Sequence, residues 1–349
     1  MREPLFGRSG VKDEEAGYPE EAGKQEAYGE KDNWQEDCYE EEAGNQKTNV
    51  QKEAFLTDMT IEGDTGVYAV LGHPVAHSLS PAMHNAAFSA TGLNGVYVPF
   101  DVQPESLMSV LESMASMGVR GVNLTVPLKE VAYEGLEQLD ESARLVGAVN
   151  TVAYTPDGLV GHNTDGYGFL TALHEETGFD VAGKSVLIAG VGGAGRALAI
   201  TLARAGVSTI RLANRSIDKA LRVRDEILEQ CSSVSVDVIE GGVPEWCAAS
   251  LESDLVINGT SMGMHAGDVS ILPAEAFREG QVACDLIYMT PETVFTKAAK
   301  DGGAIATNGL GMLLHQGARA FEIWTQHAAP VSVMREVLET RVYGTGPLM

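Results

Sequence analysis

The run Ser185-Val186-Leu187-Ile188-Ala189-Gly190-Val191-Gly192-Gly193-Ala194-Gly195-Arg196 is the strongest guide to the architecture. Its first five residues read as an apolar strand, and residues 197–205 after it as a helix of small side chains. Between them Gly190, Gly192 and Gly195 stand at GxGxxG spacing. That spacing alone is weak evidence. A strand before it and a helix after it are the context that a dinucleotide-binding turn needs. Glycine lets the backbone bend tightly and approach a pyrophosphate, and the helix N-terminus adds amide donors and the positive end of a dipole. A glycine-rich turn that binds nothing is the bland alternative, and the strand–turn–helix order weighs against it.

Downstream, strands are expected at 209–213, 234–239, 255–258, 282–286 and 304–307, with a helix at 219–230. This is βαβ repetition, the pattern of a doubly wound Rossmann-like domain, and it is assigned to residues 169–309. An NAD site places an acidic residue about 20 residues beyond the glycines, on the ribose 2′-hydroxyl. Here the second strand ends in Asn214-Arg215-Ser216, with Lys219 one turn on. No carboxylate stands there, and the two cations suit a 2′-phosphate through charge-assisted hydrogen bonds. Arg196 is expected to add charge. The cofactor expected is therefore NADP.

Upstream, strands are expected at 67–72, 95–102 and 118–124, and helices from Ser80-Pro81 onward and at 105–117, 129–136 and 140–145. Segments 148–155 and 158–164 read as a hairpin around Pro156-Asp157-Gly158. Ser80 is read as a helix cap and Pro81 as the first turn. The alternation argues for an α/β domain with a largely parallel sheet. It is placed at 63–168 and completed by C-terminal helices within 310–345. The expected fold class is α/β: an N-terminal α/β substrate domain plus a C-terminal Rossmann-like NADP-binding domain, with a cleft between them. Hinges are expected at 169–171 and 309–311.

Residues 1–62 form an acidic low-complexity extension. Its first 53 residues hold 15 acidic and 7 basic side chains, and Glu-Glu-Ala-Gly recurs at 14–17, 20–23 and 41–44. Such a segment buries too little apolar area to offset its ordering entropy, so it reads as a disordered solvating tail. Docking through Trp34 and Tyr39 is the sharper alternative. The whole chain of 349 residues carries a formal charge of −25, which repels phosphate backbones and argues against nucleic acid as a partner. Any anionic ligand must be held by local groups. The four cysteines, none at CxxC spacing, read as reduced thiols. The N-terminal residues lack the apolar run of a signal peptide. The longest apolar stretch, 185–206, is broken by glycines and by Arg196 and Arg204, so no membrane span is expected. A cytoplasmic protein is the expectation, with a homodimer as an open assembly.

Four polar clusters precede the glycine turn, at 78–85, 123–129, 147–151 and 161–166. Each lies at an expected strand end or loop, where α/β proteins build sites. Oxidising a secondary alcohol with a nicotinamide takes a hydride from carbon and a proton from the hydroxyl. The cofactor accepts the first, and a positioned acid/base must handle the second. Lys129 beside Asp165 suits that task. The hydroxyls of Ser78 and Ser80 and the amides of Asn150 and Gln316 suit a polyhydroxylated ring. A Lys–Asp pair alone is more often a surface ion pair, and its setting among these clusters reverses that weighting. His73 and His77 have i,i+4 spacing, but Pro74 lies between them and no third ligand is evident, so no metal is assigned. His77, His84 and His315 read as structural hydrogen-bonders. Cys284 reads as core, and so do Met262 and Met264 in the plainer view of that pair.

In chain order, GxPxxHSxSPxxHN at 72–85, NxTxPxK at 123–129, GAxNT at 147–151 and GxNTDxxG at 161–168 precede GxGGAGR at 190–196. Asn214-Arg215-Ser216, Asn258-Gly259-Thr260-Ser261-Met262-Gly263-Met264, Asp285-Leu286-Ile287-Tyr288 and Gly311-Met312-Leu313-Leu314-His315-Gln316 come after them. Over roughly Val67 to Ala320 this order resembles the shikimate/quinate dehydrogenase family, in particular its NADP-dependent shikimate dehydrogenases. The resemblance implies an oxidoreductase that reversibly reduces 3-dehydroshikimate to shikimate in the chorismate route to aromatic amino acids. It implies Lys129 and Asp165 as the catalytic pair and Ser78 and Ser80 as binders of the substrate carboxylate. Thr125, Asn150, Tyr288 and Gln316 match its other substrate contacts. Gly190, Gly192, Gly193, Ala194, Gly195 and Arg196 match its NADP loop, and Asn214, Arg215, Ser216 and Lys219 its 2′-phosphate site. Thr260, Met262, Gly309, Met312 and Leu313 match its contacts to the nicotinamide half. Gly259 stands where the family usually has alanine, which is expected only to loosen that loop. Two other functions compete. Oxidation of quinate with NAD is disfavoured by the paired serines and by the missing acid near Asn214. A non-catalytic ligand sensor is disfavoured because Lys129 and Asp165 are both present.

Overall fold

In a computed structural model the chain is described over residues 60–265 and 267–344. The tail expected to be disordered, apart from its last three residues, lies outside the described residues. Two six-stranded sheets organise the rest.

The first sheet holds β1 (Gly66–Gly72), β2 (Gly95–Asp101), β3 (Val119–Leu124), β4 (Gln138–Leu139), β5 (Thr151–Thr155) and β6 (Gly158–His162) in the order β2-β1-β3-β5-β6-β4. The apolar β1 is almost wholly buried and pairs parallel with β2 and β3. β5 then joins β3 antiparallel, and β6 pairs antiparallel with β5 and parallel with β4. The sheet is therefore mixed, not largely parallel as expected. A tight turn at 156–158 makes β5 and β6 a hairpin, and hairpin strands run antiparallel.

Helices α1 (Ser80–Thr91), α2 (Leu107–Ser116), α3 (Leu128–Gly135) and α4 (Glu141–Val146) surround this sheet. Leu107, Leu111 and Met114 make the buried stripe of α2 and meet Leu128 and Ala132 of α3 in one core. Ser80 is not the cap that the sequence suggests. It is the first residue inside α1, and its N–H donates to the Ser78 hydroxyl at 3.3 Å. Pro81 falls in the first turn, where a missing N–H costs nothing.

The second sheet holds β7 (Ser185–Ala189), β8 (Thr209–Ala213), β9 (Ser235–Ile239), β10 (Leu255–Asn258), β11 (Val282–Asp285) and β12 (Ile305–Thr307). Its order is β12-β11-β10-β7-β8-β9, and all neighbours are parallel. Val186, Leu187, Ile188, Val256 and Ile257 are fully buried, as strands covered on both faces require. After the lobe-connecting helix α5 (Asp165–Thr177), helices α6 (Gly193–Arg204), α7 (Ile217–Gln230), α8 (Val243–Leu251) and α9 (Val294–Asp301) belong to this lobe. The chain runs from β7 outward to β9, then returns to β10 on the other side of β7. Ligands bind α/β sheets at such a reversal.

Two final helices, α10 (Leu310–Thr325) and α11 (Val331–Tyr343), return the chain to the first sheet. Leu314, Phe321, Met334 and Leu338 pack there with Tyr68, Phe88 and Tyr97. The boundary expected at 168/169 and the hinge at 169–171 fall inside unbroken α5, whose Phe169 and Leu173 are buried in the second lobe's core. Motion at that point would tilt α5 as a unit, because a sharp bend would break its hydrogen-bond ladder. Among the described residues no helix is long and apolar enough to cross a membrane.

Candidate active site

A cleft of about 240 Å³ opens beside the C-terminal ends of β1 and β3, bordered by the start of α5 and by α10. Ser78, Ser80, Thr125, Lys129, Asn150, Asp165, Tyr288 and Gln316 all line it. So do Ala194 of the glycine turn and Gly309, Met312 and Leu313. Every substrate residue named from the sequence thus shares one cavity with part of the cofactor set.

Lys129 lies in the first turn of α3, and its Nζ donates to Asp165 Oδ2 at 2.7 Å. Asp165 opens α5, where the helix dipole favours a carboxylate. Its Oδ1 accepts from Asn150 Nδ2 at 2.8 Å, and its own N–H donates to Asn163 Oδ1 at 3.0 Å. The Asn150 amide is held in turn, because its Oδ1 accepts the Thr164 N–H at 2.8 Å. The two charged side chains are 30% and 14% exposed, reachable from the cleft yet shielded from bulk water. That distinguishes them from an ordinary surface pair, which holds its partners weakly.

Asn123 also lines the cleft, and the sequence does not single it out as a site residue. Its Nδ2 donates to Asn150 O at 3.2 Å and to Thr151 Oγ1 at 3.0 Å, while its Oδ1 accepts from the Tyr97 hydroxyl at 2.7 Å. Its place at the head of NxTxPxK is the available signal. Apolar lining from Val70, Val75, Leu124 and Leu286 carries no signal apart from burial. Gln316 Nε2 donates to Leu313 O at 2.9 Å, which turns the amide oxygen toward Asn150 Nδ2. The Tyr288 hydroxyl has no partner among the described residues, and burial pushes its pKa up, so it stays a protonated donor.

The histidines divide into three settings. His315 Nε2 pairs with Glu175 at 2.5 Å, a structural hydrogen bond as expected. His84 is not a hydrogen-bonder. It is fully buried, stacks on Tyr97 with ring centroids 4.3 Å apart, and neither ring nitrogen finds a partner among the described residues. Burial lowers its pKa to about 3. His77 lies on the cleft wall, exposed and likewise without a partner among the described residues. No group of side chains among the described residues is suited to a metal ion.

On the opposite wall the backbone does most of the building. Gly190 has φ +95°, and its N–H donates to Ala213 O at 2.7 Å. A Cβ on Gly195 would run into Gly190 O, so only glycine fits where the turn enters α6. Nothing lies within 4 Å of the Cβ positions of Gly192 and Gly193, so the first turn of α6 is open to a ligand at its backbone. Asn214 Oδ1 accepts from Val191 N–H at 3.2 Å and thereby fixes the turn. Arg215 and Lys219 are exposed and make no hydrogen bond or ion pair among the described residues. Ser216, between them, stands at the N-cap position of α7, its side chain making no capping bond. Two unpaired cations beside an open helix N-terminus, in a chain of charge −25, fit a dinucleotide carrying an extra phosphate.

Two residues on the cofactor side behave otherwise than the sequence suggests. The Arg196 guanidinium is not free for a phosphate. It binds Glu226 through both Nε and Nη2, and its Nη1 donates to Val146 O at 2.7 Å. It ties α6 to α7 and to the end of α4 in the other lobe. Gly259 does not loosen its loop either. A Cβ there would sit 2.6 Å from Gly190 O, so the glycine lets β10's loop close against the cofactor turn. Thr260 comes next, its methyl filling the space that a Gly190 Cβ would need. Met262 and Met264 are exposed, not core. Cys284 is buried as expected.

A glycine turn at the reversal of a parallel sheet, facing a polar cleft with a lysine–carboxylate pair, defines a two-lobed nucleotide-dependent dehydrogenase. Residues 70–152 match the shikimate dehydrogenase substrate binding domain, and residues 309–339 the shikimate 5′-dehydrogenase C-terminal domain. A shikimate dehydrogenase (NADP(+)) of Methanopyrus kandleri is 43% identical over 282 residues, 80% of this chain and 97% of that protein. The structure of shikimate 5-dehydrogenase from Listeria monocytogenes, in complex with shikimate and NAD, is 37% identical with a TM-score of 0.75. That match covers 81% of this chain and 99% of the Listeria chain. The Thermus thermophilus enzyme, solved with NADP(H) and shikimate, is 38% identical with TM-score 0.68, covering 78% of this chain and 98% of that one. The chain belongs to the shikimate dehydrogenase family.

Proposed function

We propose that this chain catalyses the reversible NADPH-dependent reduction of 3-dehydroshikimate to shikimate, a step toward aromatic amino acids. The observation that carries this reading is Lys129 Nζ, 2.7 Å from Asp165 Oδ2, in a cleft that Ala194 of the glycine turn also lines. NADPH, when bound, supplies the hydride to the carbonyl carbon. Every other task falls to the chain itself.

The turn from Gly190 to Gly195 and the start of α6 hold the pyrophosphate by backbone amides. Arg215 and Lys219, with the Ser216 hydroxyl, hold the 2′-phosphate. Thr260, Met262, Gly309, Met312 and Leu313 border the nicotinamide half. Ser78 and Ser80 donate to the substrate carboxylate, and Thr125, Asn150, Tyr288 and Gln316 orient the ring. In the reducing direction the Lys129 ammonium donates a proton to the carbonyl oxygen, and Asp165 holds Nζ in place. Asn150 aims Asp165. In the oxidising direction the hydroxyl proton returns to Nζ. The substrate unit of 63–168 with 310–345 and the NADP unit of 169–309 act as the two walls. The free thiols Cys231, Cys247 and Cys284 support a cytoplasmic setting.

NADPH consumption with 3-dehydroshikimate, compared with NADH, tests the reading. NADH leaves Arg215 and Lys219 without a phosphate to bind, so kcat/KM should favour NADPH by roughly 10-fold or more. Equal or NADH-favoured values would refute the cofactor assignment. Quinate turned over with NAD as fast as shikimate with NADP would move the chain to the quinate branch.

A further inference from the structure

The chemistry above gives no task to Asp285, the last residue of β11. Its side chain is fully buried, and it has no cationic partner among the described residues. Neutral donors alone hold it. Oδ1 accepts from Asn258 Nδ2 at 2.9 Å and from the Ile287 N–H at 3.1 Å, and Oδ2 accepts from the Thr293 hydroxyl at 2.6 Å. A buried carboxylate without a cation is a poor device for stability, since desolvation costs several kcal/mol. Burial indeed pushes its pKa up to about 6. What a carboxylate offers here is acceptance from three donors at once, on different segments.

The first segment is the loop after β10. Asn258 Oδ1 accepts from both the N–H and the hydroxyl of Thr260, at 3.0 and 2.7 Å. Asn258 Nδ2 also donates to Met262 O at 3.2 Å, and Thr260 Oγ1 accepts from Met262 N–H at 3.1 Å. This loop lies against the glycine turn. The second segment comes after β11. It carries Leu286 and Tyr288 into the cleft, and Ile287 O accepts from Gly309 N–H at 3.2 Å. One carboxylate therefore joins two segments of the NADP wall, the loop against the glycine turn and the segment that brings Tyr288 into the cleft.

We propose that Asp285 is a positioning residue for hydride transfer: through Asn258 and the Ile287 amide it holds the Thr260–Met262 turn and the Leu286–Tyr288 segment in one register. The proposal rests on the dehydrogenase reading above. It concerns the register of two segments that face the cofactor and the cleft, not affinity for either ligand. A displacement of about 1 Å at reacting atoms costs roughly 100-fold in rate.

The test uses the full chain, with wild-type turnover of 3-dehydroshikimate and NADPH measured first. No wild-type turnover would sink the dehydrogenase reading itself, and the variants are judged only against an active enzyme. Asp285→Asn, nearly isosteric, should lower kcat about 10- to 100-fold while both KM values stay within about threefold. Asn258→Ala should give a similar loss, and the double variant should be no worse than about threefold below the weaker single. Thr293→Val, which removes the bond to Asp285 Oδ2 and the side-chain cap of α9 but leaves the bonds to Asn258 and the Ile287 N–H, should keep kcat within about threefold of wild type. The proposal is overturned if Asp285→Asn keeps wild-type kcat, if the two losses multiply, or if Thr293→Val reproduces the defect. Should Asp285→Asn fail to fold, Asn258→Ala against Thr293→Val decides alone: a loss confined to the former supports positioning, and equal losses refute it.

Discussion

In the first lobe the site is made of side chains that hold one another. Lys129 rests on Asp165, Asp165 on Asn150, and Asn150 on Thr164. In the second lobe it is made of main chain, a turn that only Gly195 allows and an open helix N-terminus, with Arg215 and Lys219 standing free beside it among the described residues. The difference reflects the task. Moving a proton demands one atom in one place, so its neighbours must fix it. Holding a pyrophosphate demands many weak donors at once, which backbone amides provide without side-chain entropy. Damage to the Lys129 network should therefore appear in kcat, and damage to the cations beside the glycine turn in cofactor KM.

Lys129→Ala should give the largest effect, a kcat lower by roughly 10²- to 10⁴-fold with the shikimate KM within about threefold. Steady-state kinetics in both directions would show it. A loss confined to KM would erase the contrast between the lobes.

The next effect also belongs to the first lobe, beneath the cleft. His84 is neutral in the fold, with a pKa lowered by burial to about 3. The unfolded chain takes up that proton below about pH 6.5, so stability is retained above that value and lost as pH falls toward 3. Between pH 7 and pH 5 the wild type should lose about 2 kcal/mol more than His84→Phe. Urea melts at the two pH values read this directly, and parallel losses in both proteins would remove His84 from the acid response.

Arg215→Ala should raise the KM for NADP roughly 10-fold with little change in kcat. Arg196→Ala should move the same KM less than about threefold, because its guanidinium already serves Glu226 and Val146 O. Equal effects of the two would mean that Arg196 leaves its partners when cofactor binds. The smallest effect expected is none at all: removing residues 1–53 should leave kcat and KM unchanged.

Distance along the chain separates what the sequence reveals from what it hides. The glycine turn is local, written in one strand, one turn and one helix, and can be read directly. Lys129 and Asp165 are distant in the chain, yet each sits in a polar motif that core packing does not explain. Arg196 misleads because its partners, Glu226 and Val146, lie on other elements that no local pattern connects. His84 misleads for the same reason, since its aromatic neighbours Tyr97 and Phe321 come from β2 and α10. Gly259 looks like a loosening substitution because the approach of Gly190 O is invisible without coordinates. The first sheet looks parallel because alternation of strands and helices says nothing of where a hairpin docks. Helices α8 and α9 are missing from the sequence reading, being short and set among glycine- and proline-containing segments, although the Thr293 cap and the buried Phe295 and Ala299 of α9 are legible signals.

Chemical rescue of Lys129→Ala by small primary amines asks whether Nζ itself carries the proton. If it does, adding methylamine or ethylamine should restore NADPH oxidation in proportion to amine concentration, while the wild type is unaffected. No recovery at any amine concentration, in a variant that still binds 3-dehydroshikimate, would contradict it.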